Sequence, residues 1–464
     1  MISLKKDIIL FDKKENCCGC WACKNICPKN AIEMTEDKEG FLFPTVNKSL
    51  CIGCSLCEQV CPLKKRSQQI EMKQNQPHIR IINFSEVDNY GAVIAGACLE
   101  KMVRAIVDKH YVVETISYET LYTIPSFKNR LTAEKEAWAT LFKAILRRLH
   151  IISTPKKPKT KHYKKIVSYS PLKKHRYNRF RCDYLNMTPT ATDASLAECR
   201  DNTKALICGS DIIWSPIYIK KNLGGAFYLN FGDEKTKRIS YAASLDCFNG
   251  KELYSCRREY QKRLKNFDYI SIRERCNMDF IQSVAPKEVH CCCDPVFLCE
   301  NEFFNDMISS SDENFSDEKY IYVYVLSHNE TIVEYAKKLA KEKNLKIFYY
   351  SADILYDFGK SGVNCSSDGP AEFLHRIKNA EYVVTTSFHC VAFSLLFEKK
   401  FIAFRRDGMG PKIDNILEIV GLPERLVEDN SVFDIDEPID FEKVRFAINK
   451  ERESSLQFLK DALL

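Results

Sequence analysis

The sequence predicts an α/β protein in which two units with largely parallel sheets follow a small, cysteine-rich α+β module. Three observations carry that expectation. From residue 79 onward, short apolar runs alternate with helical stretches. A break near 301–319, rich in Asn, Ser, Asp and Glu, divides runs too numerous for one compact unit. Finally, nine of the 22 cysteines lie between Cys17 and Cys61.

The composition suits a folded globular chain. With 464 residues it is long enough for several domains. Hydrophobic residues make up 45% and charged residues 28%, which excludes wholesale disorder. No stretch approaches the ~18 uninterrupted apolar residues of a membrane span. Residues 1–15 alternate Lys, Asp and short apolar runs and lack a signal-peptide core, so a cytoplasmic location is expected. A reducing compartment disfavours a disulfide framework, and the dense N-terminal cysteine points to metal.

The first module carries one spacing twice. Cys17-x2-Cys20-x2-Cys23-x3-Cys27-Pro28 is followed by Cys51-x2-Cys54-x2-Cys57-x3-Cys61-Pro62. Three thiolates on a tight loop, with a fourth just beyond, suit a cubane iron–sulfur cluster. Zinc also takes four thiolates, but usually from two separated CxxC knuckles, and Pro after each fourth Cys fits the cluster pattern better. Between the runs, Ala31–Met34 and Phe41–Pro44 read as short strands around a turn ending at Gly40. Residues 10–65 resemble a bacterial two-cluster ferredoxin. In that arrangement the fourth Cys of each run ligates the other cluster. The resemblance therefore implies two [4Fe–4S] clusters, one held by Cys17, Cys20, Cys23 and Cys61, the other by Cys51, Cys54, Cys57 and Cys27. Electron transfer and a cluster-stabilised docking module both remain open.

After a polar linker, strands are expected at Ile79–Phe84, Ala205–Cys208, Ile239–Ala243, Tyr269–Ile272 and Val289–Cys293. A second set follows at Tyr320–Leu326, Ile347–Tyr350, Tyr382–Thr385 and Phe401–Phe404. In such folds ligands bind outside the carboxyl ends of the strands, so three strand-to-helix turns stand out. Asn89-Tyr90-Gly91 offers a glycine where backbone can approach a ligand, or simply a turn. Gly209-Ser210-Asp211 leaves a hydroxyl and a carboxylate at a strand edge, or else caps a helix. Ser387-Phe388-His389 brings a histidine to the start of an apolar helix.

Taken in order, these turns resemble the polysaccharide pyruvyl transferase family. So do Trp214, Phe227-Tyr228-Leu229, Ser240–Ser244, Ser271-Ile272-Arg273-Glu274, Asp294-Pro295, Gly369–Phe373 and Ser387-Phe388-His389, over about residues 80–425. The resemblance implies two Rossmann-like domains in a glycosyltransferase-B-like arrangement. It also implies transfer of a pyruvyl group from phosphoenolpyruvate to sugar hydroxyls, as a ketal, in surface polysaccharide biosynthesis. The expected organisation is a ferredoxin-like domain at 1–65, a linker at 66–78 and a first Rossmann-like half at 79–300. A second half at 301–425 and a C-terminal tail or helix at 426–464 complete it. One position departs from the family: its last motif reads Arg-x-His, and here Ser387 stands where the arginine would be. Arg405, Arg406 or Lys412 could supply that cation, or the donor differs.

Ketal formation from an enol phosphate needs a proton donor, a base for the hydroxyl and cations for the phosphate. His389 is the expected general acid or phosphate partner, and Asp211 the base. Arg273 and Arg405 are expected to bind carboxylate or phosphate. Asn89, Tyr90, Gly91, Ser210 and Ser387 complete the expected substrate-binding set. Cys291-Cys292-Cys293 reads as strand packing, because adjacent side chains point to opposite faces.

The net charge of +7 is local. Residues 143–181 hold fourteen Lys or Arg and no acid, leaving −7 for the remainder. This basic insertion suits a solvated face or an anionic membrane surface, such as the inner face where a lipid-linked oligosaccharide acceptor would lie. No nucleic-acid motif accompanies it. Two other functions remain in view. In one, the clusters serve a redox partner and the body is a docking or sugar-binding scaffold. In the other, the body is a nucleotide-sugar glycosyltransferase.

Overall fold

A computed structural model describes residues 10, 17, 19–37, 40, 42–52, 54, 56–61, 76–118, 170–198, 202–221, 224–246, 250–326, 330–351, 358, 362–405, 411–428 and 433–464. Most of the expected linker, residues 143–169 of the basic insertion, and Arg406 lie outside this set. The chain divides into two compact units, Met1–Pro77 and His78–Leu464.

In the first unit, β1 (Ile32–Glu36) pairs antiparallel with β2 (Leu42–Val46), Ile32 opposite Val46 and Glu36 opposite Leu42. Helices α1 (Ala22–Ile26) and α2 (Leu56–Val60) each carry the third cysteine of a run, Cys23 and Cys57, at their second position. The doubled sequence spacing thus becomes a doubled local structure. With so little apolar volume available, the core draws on the cysteines themselves: Cys23 and Cys57 are buried with Leu10 and Ile32.

The second unit contains two six-stranded sheets whose strands all run parallel. The first comprises β3 (His78–Ile82), β4 (Val112–Thr115), β5 (Thr203–Gly209), β6 (Lys237–Ala243), β7 (Tyr269–Ile272) and β8 (Val289–Cys291), in spatial order 4-3-5-6-7-8. The second comprises β9 (Tyr320–Val325), β10 (Lys346–Ser351), β11 (Gly362–Asn364), β12 (Tyr382–Thr385), β13 (Lys400–Phe404) and β14 (Leu426–Val427), in order 11-10-9-12-13-14. The latter is the Rossmann order. Helices cover both faces of such sheets, so the strands read as unbroken apolar runs. All six residues of β9 are buried.

The structure supplies three strands the sequence does not predict: β4, β11 and β14. Each is short, and β11 has two exposed residues out of three. Of the expected C-terminal segment 426–464, Leu426–Val427 form β14 and Phe441–Leu463 form one long helix. That helix packs Val444 and Ile448 in the core beneath the second sheet, then Phe458, Leu459 and Ala462 against Ile79 and Leu99 of the first half. It thereby joins the halves through apolar contact. No described helix is long and apolar enough to cross a membrane.

The described end of the basic insertion is a helix, Pro171–Tyr184, and two of its arginines are engaged within the protein. Arg181 is buried and donates to the Ser85 and Glu86 carbonyls and to Asp88, at 2.7, 3.0 and 2.8 Å. On the other half of the unit, Arg176 pairs with Glu313 at 2.9 Å and donates to the Ser367 carbonyl. Within 170–181, Arg176 and Arg181 are thus committed to partners inside the protein, while Lys174 and Arg179 stay 41% and 44% exposed.

Candidate active site

Each sheet reverses strand order once, between β3 and β5 in the first and between β9 and β12 in the second. Crevices outside the carboxyl ends at such switch points are where ligands bind in open α/β sheets. Here the two crevices face one another. Val87, Asn89 and Asp211 from the first half, with Thr386, Ser387 and His389 from the second, line a single cavity of about 340 Å³. Phe84, Tyr218, Tyr324 and Phe373 give part of its wall aromatic character.

His389 is the second residue of the helix Phe388–Leu396, which begins just past β12. Its ring lies against Gly91 across the cleft: a Cβ built at position 91 would sit 1.9 Å from Nδ1 and 2.1 Å from Cγ. Only glycine admits the imidazole there. On its other edge, Nε2 lies 3.7 Å from Asp294 Oδ2, an ion-pair contact when the ring carries its second proton. That distance exceeds hydrogen-bond length, and Nε2 is buried without a hydrogen-bond partner.

Asp294 follows β8 and anchors the charged cluster, with its side chain fully buried. Oδ2 accepts from Arg273 Nη1 at 2.5 Å and Ser210 Oγ at 2.8 Å, while Oδ1 accepts from the Val296 amide at 3.2 Å. Burial alone would raise its pKa. His389 and Arg273 outweigh that, holding the carboxyl well below the usual carboxylate range. Arg273, just past β7, is likewise buried. Burial works against its charge, but Glu274, Asp294 and Asp211 prevail and keep it above the ordinary guanidinium value. Its Nε donates to Glu274 at 3.2 Å, its guanidinium lies 4.5 Å over the Phe388 ring, and its Nη2 is buried without a partner.

Asp211 reaches the cleft through two successive left-handed residues, Ser210 at φ 48° and Asp211 at φ 64°. Such backbone costs roughly 1–3 kcal/mol per residue and persists where neighbours impose it. Here the Ser210 amide donates to Tyr241 O and the Ser244 amide to Asp211 O, both at 2.9 Å. Lys412 also lines the cleft, with Nζ 3.3 Å from Asp246.

In the first unit, Cys27, Cys51, Cys54 and Cys57 line one small cavity with Ile32 and Val46. The ferredoxin resemblance assigns these four cysteines to one cluster. The Ala31 amide points at Cys27 Sγ at 3.3 Å, a donor suited to a thiolate. Burial, together with the proximity of Cys17 and Cys20, raises the Cys23 thiol, so the first three sulfurs of the other set are also neighbours. The residues present therefore fit four-thiolate clusters. Among the described residues no three His, Cys, Asp or Glu converge to hold a single ion, which thiolates spread around a multi-iron cubane need not do.

Residues 89–408 match the family model for polysaccharide pyruvyl transferase. The chain belongs to that family. Residues 16–65 match the model for a 4Fe-4S dicluster domain. No curated protein matches the chain. Among solved structures, it is similar to UDP-GlcNAc 2-epimerase from Neisseria meningitidis bound to UDP-GlcNAc (8% identity, 83% of this chain and 94% of that one, TM-score 0.40). It is also similar to UDP-N-acetylglucosamine 2-epimerase from Rickettsia bellii (12% identity, 83% and 97%, TM-score 0.40).

In this pyruvyl transferase family member, several expected site residues meet in the cleft: Asn89, Gly91, Asp211, Arg273, Ser387 and His389. Three do not. Tyr90 is buried between the halves, stacked on Phe373 and Tyr177 at centroid distances of 4.8 and 5.4 Å, with its hydroxyl on the Asp368 carbonyl. It supports the cleft wall from behind. Ser210 is buried and its hydroxyl is committed to Asp294, so it positions that carboxylate. Arg405 lies outside the cleft lining, half-exposed and 2.5 Å from Asp414. Asn89 lines the cleft, but its side chain caps the helix Tyr90–Ile106 by accepting from the Ala92 amide at 3.2 Å. Gly91 makes room for His389 rather than for a ligand. Cys390 is fully buried, and burial pushes its thiol up to about 12, which excludes a thiolate nucleophile there. Burial likewise raises Cys292 to about 12. The sequence reading missed Asp294 as a site residue. Its signal was the Asp-Pro directly after a strand.

Proposed function

We propose that this cleft transfers the pyruvyl group of phosphoenolpyruvate to hydroxyls of a sugar or lipid-linked oligosaccharide, forming a ketal and releasing phosphate. One observation above all supports the reading: two buried nitrogen atoms of the cleft residues, Arg273 Nη2 and His389 Nε2, have no hydrogen-bond partner. Buried polar nitrogens without partners are rare and costly in a folded protein, and an anionic donor that reached either one would relieve that cost. The aromatic wall at Phe84, Tyr218, Tyr324 and Phe373 suits the apolar C–H face of a pyranose.

In the reaction, a proton adds to the donor's methylene carbon and one sugar oxygen bonds to the adjacent carbon. A second hydroxyl oxygen then bonds to that carbon as phosphate departs. Of the two hydroxyl protons, one balances the proton taken up by carbon and the other leaves with phosphate. His389 delivers the proton or steadies the phosphate, and Asp294 orients its ring. Asp211 accepts a hydroxyl proton, with Arg273 on the donor's anionic groups. Ser387 contributes no charge where the family places arginine.

The cysteine module is proposed to hold two [4Fe–4S] clusters, ligated crosswise by Cys17, Cys20, Cys23 and Cys61 and by Cys51, Cys54, Cys57 and Cys27. Such clusters exchange electrons with a redox partner or hold the module folded. Ketal transfer itself is redox-neutral. The test is acceptor-dependent phosphate release from phosphoenolpyruvate by protein purified without oxygen, and its loss in His389→Ala. Release of nucleotide from a sugar nucleotide instead would assign the body to glycosyl transfer.

A further inference from the structure

We infer that Lys412 is an exchangeable cation, passed from Asp246 to the second anionic group of the donor, and that it sets the preference for a donor carrying two such groups. This rests on the reading of the cleft as an anionic donor site. The geometry comes from both halves. Lys412 opens the helix Lys412–Val420 of the second half, and Asp246 follows β6 of the first. The pair is 3.3 Å apart and largely buried, the side chains 14% and 8% exposed. Lys412 lines the cleft and Asp246 does not, so the ion pair sits at the edge of the cavity.

The helix is also tied to the donor-binding segment. Asn415, one turn along, donates from Nδ2 to the Arg273 carbonyl at 3.3 Å and accepts from the Arg275 amide at 3.0 Å. This amide clasp sets Lys412 and Arg273 on the same cavity. Arg273 and His389 both line the cavity and each keeps one buried nitrogen without a partner, so the reading above gives them one anionic group of the donor. A donor with a carboxylate beside its phosphate presents a second, and Lys412 is the further cation among the described residues that line the cavity. Lysine suits exchange: its ammonium is a point charge on a flexible stem, whereas Arg273 is fixed by Glu274, Asp294 and the Phe388 ring.

Exchange predicts opposite signs for its two partners. Asp246→Asn removes the competitor, and asparagine tolerates the left-handed backbone at φ 47°. Lys412→Met removes the cation and keeps the stem, while Lys412→Arg keeps the charge. The experiment is calorimetric titration of the full-length protein and each variant with phosphoenolpyruvate, inorganic phosphate and UDP, alongside thermal melts. Asp246→Asn should bind phosphoenolpyruvate several-fold tighter. Lys412→Met should bind it about tenfold or more weaker, the worth of one charged hydrogen bond. Inorganic phosphate should respond little to either change, and the double variant should match Lys412→Met.

If both single variants weaken phosphoenolpyruvate binding, or neither changes it, the pair is a structural bridge and the inference is overturned. A melt that shows Lys412→Met unfolded passes the question to Asp246→Asn and Lys412→Arg. Tighter binding by the first and near-normal binding by the second still support exchange, and weaker binding by the first refutes it. Opposite signs seen with UDP, in protein that ignores phosphoenolpyruvate, keep the exchange and reject the donor reading. Binding of none of the three anions overturns the inference.

Discussion

Replacing Gly91 with alanine inserts a methyl group into the ring of His389. The added Cβ would lie 1.9 Å from Nδ1, 2.1 Å from Cγ and 2.6 Å from Cε1. Real Cβ contacts essentially never fall below 3.0 Å, so the ring must retreat by more than 1 Å. Asp294 and Phe388 crowd its other sides, at 3.7 Å from Nε2 and 5.1 Å between ring centroids. Overpacking of this kind costs roughly 1–3 kcal/mol. Alanine in a helix offsets about 0.4–1 kcal/mol of that through the unfolded chain. The net loss of stability is therefore under about 3 kcal/mol. Activity should fall far more, by about 100-fold for a displacement of order 1 Å at a reacting group. The decisive assay is a double-mutant cycle of Gly91→Ala and His389→Ala, read by denaturant unfolding. With the ring gone, the new methyl has room, and Gly91→Ala should become neutral or stabilising, a coupling of about 1–3 kcal/mol. Equal costs in both backgrounds would refute the contact, and full turnover by Gly91→Ala would refute the importance of the ring's position.

Other outcomes follow from the same contacts. Asp294→Asn removes the charge that faces Arg273 and His389, so it should cost about 3–5 kcal/mol, measured by chemical denaturation. Because the Asp294 pKa is lowered on folding, its contribution is present above about pH 4 and lost as pH falls toward the folded value. Melts between pH 7 and pH 3 should therefore fall less steeply for the Asn variant than for the parent. Cys27→Ser should remove the same electron paramagnetic resonance signal as Cys51→Ser, with Cys17→Ser removing the other; Cys27→Ser grouping with Cys17→Ser would refute crosswise ligation. Arg405→Ala breaks a half-exposed pair with Asp414 and should cost under about 1 kcal/mol, with the KM for phosphoenolpyruvate unchanged.

Much of the fold can be read along the chain because parallel strands covered on both faces are unbroken apolar runs. Tyr320–Val325 has no polar residue to hide its identity. Leu426–Val427 and Gly362–Asn364 are too short for any period, and they become strands only because a neighbouring edge is there to pair with. For the site, the turns after β3, β5 and β12 were visible, since strand ends point where ligands bind. Direction was not. Tyr90, Gly91 and Asn89 are consecutive, yet one fills the core, one admits an imidazole and one caps a helix. Asp294 gains its role from Ser210, Arg273 and His389, which arrive from three different strands. No local pattern carries such a convergence. Arg405 shows the converse: a cation after a strand, satisfied by an acid on the following helix.

Pyruvyl transfer in the cleft between the two parallel-sheet halves, as proposed above, has a direct readout. That readout is phosphate release from phosphoenolpyruvate by oxygen-free protein with full iron and sulfide, with and without galactose- or mannose-type acceptors, free and lipid-linked. Release should depend on the acceptor, with pyruvate recovered as a ketal on the sugar, and should be absent from His389→Ala. Release independent of any acceptor, or undiminished in His389→Ala, would rule out pyruvyl transfer by this cleft.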